Sequence, residues 1–464
     1  MRQSLLLRGG TVVSCDPRRP PHEQADILIE GDLIRDIAPH ITLADAHVVD
    51  LAGKLVLPGF VDAHRHCWQT GIRGVAADWS LVEYVKYIRL GYALAYRAED
   101  VEVSNLVGLL EALDAGITSV CDFSHIMNSP QHADAAADGF TQAGLRGSFC
   151  YGFYDVPCKP RVFADHAARL RDAERALGRA QQRFGTLARF GVALTEYGLA
   201  GLEVARAEIG FARANGLPIT MHMGTLSTPD AVAQLDRAGL LGPDMLHVHC
   251  NFSSDEELQR IADTGGTVVV TPETELQMAM GFPVTGRLLK LGIAPSLGID
   301  IVSDYAGDMF GQMRLALQTE RALRNQPVLD TRKMPPTVSP TVRDALNFAT
   351  LNGARAMGLE SVTGSLVPGK QADIIAIATT GFNFMPPAEP IPAIVLQARA
   401  SDVSDVWIAG VQRKRDGKLV GVDVEALRRR IAASQQHLLE AARSAIGEDL
   451  PTSAAYRNAI SQIT

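Results

Sequence analysis

After Pro58-Gly59 the sequence alternates short apolar runs with amphipathic stretches for about 300 residues, and this alternation restricts the fold more than any other feature. GITSVCDF, LPITMHMG, MLHVHCNF, GTVVVTPE and IAPSLGID have strand character, and segments such as AADGFTQAGLRGSFCYGFY open with helical spacing. Strands separated by crossover helices pair in parallel, because each helix returns the chain to the same end of the sheet. The length suits closure into eight strands. The fold expected for residues 58–360 is therefore a (β/α)8 barrel of the α/β class.

Both flanks have a different texture. From Leu5 to Leu57 short β-rich stretches alternate with turn signals at Gly-Gly, Gly-Asp and Ala-Gly, which reads as a small antiparallel sheet. The β texture returns near Gly364, in TGSLVPGKQADIIAIA and DVWIAGVQRKRDGKLVG. Segments 1–57 and 361–421 are expected to complete one small β-sandwich domain. Residues 422–464 form a helical tail, with apolar spacing and good helix formers from Val422 to about Ala445.

With 464 residues, 47% apolar and 21% charged, the chain can bury a large core without disulfide staples. Its net charge of -8 comes from interspersed acids and bases, which leaves no basic face for nucleic acid or an anionic membrane. The N-terminal apolar run breaks at Gly9-Gly10, too early for a signal peptide, and no segment reaches the roughly 18 apolar residues of a membrane helix. Six scattered cysteines form no CxxC pair and fit a reducing compartment. A cytoplasmic enzyme with a small-molecule substrate is the expectation.

The run FVDAHRH sets His64 and His66 two positions apart near a strand end. On a strand this spacing puts both imidazoles on one face and Arg65 on the other, where its charge must be paired if it is buried. Two converging imidazoles make half of a cation site. His222 closes LPITMH, His249 closes MLHVH and Asp300 closes IAPSLGID. Each alone reads as a satisfied core residue. Together they mark the C-terminal strand ends, where barrel enzymes carry their active sites.

With PGFVDAHRH, EALDAGITSV, the His222, His249 and SLGID segments, LNGARAMGL and GSLVPGKQADIIAI in this order, the chain resembles the amidohydrolase superfamily, in its cytosine-deaminase-like and triazine-hydrolase-like branch. The resemblance spans nearly the whole chain and implies a barrel with a β-sandwich built from both chain ends. It implies one divalent metal ion per chain, zinc first with iron, cobalt or manganese as alternatives, held by His64, His66, His222 and Asp300. Asp300 would also take a proton from the attacking water, and His249 would orient substrate or water. A bound cation brings the pKa of water to about 7, within reach of such a carboxylate. By the same resemblance Gln69 contacts substrate and Trp68 walls the pocket. His125, in CDFSHIMN, follows another expected strand and can face the site. A homo-oligomer, dimer or tetramer, rests on the resemblance alone.

Two departures bear on the reaction. Deaminases of this branch carry His-x-x-Glu at the fifth strand, whereas this chain reads His222-Met223-Gly224-Thr225. After His249, TPETELQMAMGFP stands where related sequences read Asn-Pro-x-Ser-Asn, and it brings Glu273 and Glu275. Glu275 is the catalytic candidate for the missing donor, against a surface or salt-bridged role for either acid. The expected reaction is therefore hydrolysis of a non-peptide C–N bond in an amide, urea, carbamate or amidine. Deamination of a heteroaromatic ring is the alternative, and an inactive binding scaffold the second.

Other features are assigned bland roles. A two-metal centre would need a bridging carboxylated lysine, and the nearest, Lys159, sits between prolines. There is no Gly-x-Ser-x-Gly elbow, and Cys67 lacks a triad pattern. His247 is expected to pack behind the site, and Asp304 and Asp308 to cap or pair at the next helix.

Overall fold

The computed structural model describes residues 4–156, 158, 160–225, 230–385 and 388–446, with side chains as far as 444. Lys159, and the part of the expected tail beyond 446, lie outside the described residues.

Eight parallel strands form the central ring: Phe60–Arg65, Ile117–Ser124, Arg146–Gly152, Ala188–Ala193, Ile219–Met223, Met245–His249, Thr267–Val270 and Ser296–Leu297. Each pairs with the next in sequence. The ring closes beyond the last strand, where His66 N donates to the Asp300 carbonyl at 2.7 Å and Asp300 N donates to the His64 carbonyl at 2.8 Å. Inside lie Val61, Ala63, Phe123, Ala193, Val248 and Val269, the packed interior expected of a barrel rather than a pore. The barrel expectation is borne out.

The second sheet draws strands from both chain ends. Its order is Lys418–Leu419, Val411–Arg415, Val403–Ile408, Ile374–Ala378, Lys54–Pro58, Leu5–Val12, Glu23–Glu30 and Leu33–Ala38. The two ends meet where Ile374–Ala378 runs antiparallel to Lys54–Pro58. The sheet is mixed, which corrects the antiparallel expectation: Leu5–Val12 pairs in parallel with both His47–Asp50 and Lys54–Pro58. The intervening hairpin spends two strands and returns the chain in its starting direction. Gly9-Gly10 is likewise a bulge and not a turn. Gly9 takes φ +71°, the register shifts between Leu7 and Gly10, and Gly9 N donates to Asp26 Oδ1 at 2.8 Å.

Val424–Ile446 is a helix that lies against the helix Ala98–Asp114 and the short turn Cys67–Ile72. Leu438 and Ala442 are buried there, and Ser434 Oγ donates to Asp100 Oδ1 at 2.7 Å. No helix among the described residues is long and apolar enough to cross a membrane.

Barrel and sandwich are joined by a buried ion pair. Arg146 Nε donates to Asp373 Oδ2 at 2.6 Å and its Nη2 to Oδ1 at 3.0 Å, and Ala409 N donates to the same carboxylate. Asp373→Ala should lower stability by about 3–5 kcal/mol, because Arg146 is left buried without a counter-charge. Thermal unfolding at one scan rate measures the loss. The apolar pair Arg146→Met with Asp373→Leu should recover most of it.

Candidate active site and metal centre

The site is assembled where strands end. The Phe60–Arg65 strand loses regular register with its neighbour between Asp62 and Arg65. Arg65, 1% exposed, turns away from the site and donates to Asp62 Oδ2 at 3.3 Å and Glu111 Oε2 at 3.1 Å. Asp62 also accepts from Ile299 N at 2.9 Å. Burial pushes its carboxyl up to about 6, against the pull of Arg65. Arg65 is thus the paired charge behind the strand, and the pair ties the first strand to the segment carrying Asp300.

His64, His66 and Asp300 converge. Asp300 Oδ1 lies 3.3 Å from His64 Nε2 and 3.2 Å from His66 Nε2. Their ligand atoms lie within 4.8 Å of one another, as do those of His64, His222 and His249, so His64 belongs to both groups. The approach of the last strand depends on Gly298: a Cβ there would meet the His64 carbonyl oxygen at 2.8 Å and the His64 Cβ at 2.9 Å. Asp300 and His249 hold left-handed backbone, φ +70° and +71°, which a non-glycine residue adopts at a cost of about 1–3 kcal/mol. That cost is spent at the two positions where a strand end must turn its side chain inward.

The donor set fits a cation. His66 Nδ1 lies 2.7 Å from the Phe123 carbonyl, His222 Nδ1 lies 2.9 Å from Glu196 Oε1, and His249 Nδ1 lies 3.2 Å from Glu275 Oε1. Each acceptor fixes the proton on Nδ1 and leaves Nε2 as a lone pair toward the common centre, the arrangement metal-binding histidines use. His64 is fully buried, with both ring nitrogens lacking a hydrogen-bond partner. Burial holds the His64 and His222 imidazoles well below their ordinary pKa, so they are neutral. Burial opposes ionisation of Asp300, but the adjacent His64 and His66 imidazoles hold its carboxyl well below the ordinary range.

A cavity lies over these groups. His66, His222, His249 and Asp300 line it, together with His125, Arg89, Glu196 and Thr225, and an apolar part is formed by Leu81, Val85, Met278 and Met280. Thr225 occupies the place of the expected acid. Glu196 was not foreseen from the sequence. It follows the fourth strand, in ALTEYG, and is 2% exposed. Oε1 holds His222, and Oε2 is buried without a hydrogen-bond partner. The Glu196 segment is itself anchored. Thr195 donates to the buried Glu208 through N at 2.9 Å and Oγ1 at 2.8 Å.

Three expectations need correction in position. Glu275 does not line the cavity but stands behind His249, where it also accepts from Thr271 N at 2.9 Å. Gln69 is fully buried, donating to Tyr84 Oη at 2.6 Å and accepting from Ser303 Oγ at 3.0 Å. Trp68 is also fully buried, and its Nε1 donates to His125 Nδ1 at 2.9 Å. The short turn Cys67–Ile72 carries Trp68 and Gln69 into the core. His125 does line the cavity, its ring stacked on His66 at 4.0 Å. Glu273 faces Gln312. His247 is buried outside the cavity lining, and Asp308 caps the helix Met309–Asp330. Asp304 accepts from Ser303 Oγ at 3.4 Å, and burial pushes its carboxyl up to about 7.

Residues 55–420 match the Amidohydrolase family. The chain belongs to this family, and it is a metal-dependent hydrolase acting on carbon–nitrogen bonds. It is 28% identical to a 5'-deoxyadenosine deaminase of Methanothermobacter thermautotrophicus, over 90% of this chain and 94% of that one. It is 25% identical to a 5-methylthioadenosine/S-adenosylhomocysteine deaminase of Pyrococcus abyssi, over 91% and 96%. Among solved structures, an adenosine deaminase from Xanthomonas campestris with bound zinc superposes with TM-score 0.83 at 24% identity, over 94% of this chain and 99% of that one. The atrazine chlorohydrolase TrzN of Arthrobacter aurescens superposes with TM-score 0.80 at 19% identity, over 93% and 100%.

Two outcomes follow from this geometry. Elemental analysis should find a divalent metal in the purified protein and its loss in His64→Ala; retention of metal by that variant would refute the centre. Separately, burial pushes the Glu208 carboxyl up to about 8. The native state then keeps a proton that the unfolded chain has lost above about pH 4.5, so stability falls as pH rises from there toward 8. Glu208→Gln should flatten that decline in thermal melts taken across the interval.

Proposed function

We propose that the chain is a hydrolytic deaminase of an aminated heteroaromatic ring, with one divalent cation, zinc first, held by His64, His66, His222 and Asp300. The reading is carried by Glu196. The fifth-strand acid is replaced by Thr225, yet a buried carboxylate lines the same cavity from the loop after the neighbouring strand, 2.9 Å from His222 Nδ1. The relatives named as deaminases, and the zinc bound in the Xanthomonas structure, support it.

A divalent cation bound there acidifies water and offsets negative charge that develops on the ring. The protein supplies the rest. Asp300 Oδ2 takes one proton from the attacking water while its oxygen bonds to the amine-bearing carbon. Glu196 Oε2 carries a proton to the adjacent ring nitrogen, which lets the ring accept the attack. The C–N bond then breaks: the proton held by Asp300 passes to the amine, which leaves as ammonia, while the hydroxyl on the carbon returns its proton to Glu196 Oε2 and so becomes the oxo group of the ring. His249, locked by Glu275, holds its Nε2 beside Asp300 Oδ2 at 3.8 Å, which orients the water. Hydrolysis of an amide or urea is the weaker reading, because Glu196 would have no ring nitrogen to serve.

Ammonia release from a panel of aminated pyrimidines, purines and triazines, beside ureas and amides, tests this. Asp300→Asn should abolish release. Glu196→Gln keeps an acceptor for His222 and should lower kcat by about 10²–10⁴-fold with metal content intact. An unchanged rate in Glu196→Gln, or turnover of ureas and amides alone, would sink the proposal.

A further inference from the structure

Glu196 is held by more than His222. His222 Nδ1 lies 2.9 Å from Glu196 Oε1, and Tyr154 Oη lies 3.2 Å from the same Nδ1. The imidazole N–H therefore points between a carboxylate and a phenol oxygen, and the phenol keeps its own O–H to donate. The Tyr154 hydroxyl hydrogen-bonds the Glu196 carboxylate, and it and the Arg89 charge both oppose the rise in the Glu196 pKa that burial imposes. Glu196 Oε2 is buried without a hydrogen-bond partner, while the residue lines the cavity. Imidazole, phenol and carboxylate thus close a triangle that leaves Oε2 for the cavity's contents.

Tyr154 is itself fixed. It follows the strand Arg146–Gly152 by two positions, is 1% exposed and lies outside the cavity lining. The Arg89 guanidinium covers its ring at 4.4 Å from the centroid, and His125 and Phe123 meet the ring edge-on at 5.4 and 6.0 Å. Arg89 reaches it from the π-helical turn Val85–Tyr92 and is the one lysine or arginine in the lining among the described residues. Its flat face serves the tyrosine and its charge the carboxylate. A glutamate just past a strand end has three side-chain torsions to settle, and these contacts settle them before any ligand arrives.

We propose that Tyr154, braced by Arg89, is a positioning residue for Glu196: its hydroxyl fixes the carboxylate so that Oε2 faces the reacting ring. This rests on the deaminase reading for the step that Glu196 serves, but the aim of the carboxylate belongs to the protein with or without that step. Proton transfer to a ring nitrogen needs reach before it needs acidity, and reach is what the tyrosine supplies. Tyr154 touches the acid and not the substrate.

Tyr154→Phe keeps the ring under Arg89 and removes only the hydroxyl. On the zinc-loaded enzyme, with the panel ring that the wild type deaminates fastest, kcat should fall about 10- to 100-fold at unchanged KM, the effect of losing a hydrogen bond to a charged group. In a Glu196→Gln background the same substitution should cost nothing further, because an amide has no proton to deliver. Arg89→Lys keeps the charge without the flat face; it should lower kcat in the wild type and add nothing to Tyr154→Phe. Zinc affinity, from competition with a chelator, should be equal in wild type and Tyr154→Phe; a loss of about 10- to 100-fold would assign the hydroxyl to His222 and the metal instead. Crystal structures of the zinc-loaded pair read the aim without turnover. The wild type should show one Glu196 rotamer with Oε1 on His222, and Tyr154→Phe a turned or multiple one. An unchanged kcat, additive losses in the double variant, the loss of zinc affinity or an unmoved Glu196 in Tyr154→Phe overturns the proposal. A wild type that releases ammonia from no ring overturns the deaminase reading, and the crystal pair and zinc affinity then decide the positioning alone.

Discussion

The barrel closes through main-chain hydrogen bonds made by the same residues whose side chains form its candidate metal centre. Asp300 N reaches the His64 carbonyl and His66 N reaches the Asp300 carbonyl, so the last link of the ring also sets the distance between two imidazoles and a carboxylate. Closure and site geometry are one constraint. Gly298 permits the approach, and the buried pair of Arg65 with Asp62 braces it from behind, since Asp62 also accepts from Ile299 N. A ring opened at this seam would separate the first and last strands and disperse the donor set.

Around that seam the polar groups are organised by what stands behind them. Three imidazoles are oriented by oxygen acceptors, from the Phe123 main chain, Glu196 and Glu275, and a fourth, His125, by the indole of Trp68. Burial keeps His64 and His222 neutral, and the two partnerless ring nitrogens of His64 would be costly in an apolar interior without a cation to receive one of them. The left-handed backbone at His249 and Asp300 points the same way, because strain of that kind persists only where surrounding contacts over-determine it.

The parts legible in the sequence are those governed by periodicity. His64, His66, His222, His249 and Asp300 each stand at or beside the end of an apolar run, and a strand end in a barrel has only one destination. Glu196 escapes the same logic. It lies three positions past Ala193, beyond the strand, where alternation no longer says which way a side chain points. Arg89 sits in a π-helical turn whose pitch matches neither template. Gln69 and Trp68 follow the paired histidines directly, but a tight helical turn carries them into the core. Gly9-Gly10 reads as a turn because glycine pairs usually are one, and only the register against Glu23–Glu30 reveals a bulge.

Thr225 and Glu196 together show why a missing motif residue is weak evidence against a chemistry. What proton transfer requires is a carboxyl oxygen at a place, and a barrel offers neighbouring strand ends that open onto one cavity. Here His222 links the two positions: it is on the fifth strand, but its Nδ1 is held from the loop after the fourth. An acid on that loop can use one oxygen to orient the imidazole and keep the other for the substrate. The carboxylate that looks like scaffolding for His222 is thus, by the same geometry, within the cavity that a reacting ring would fill.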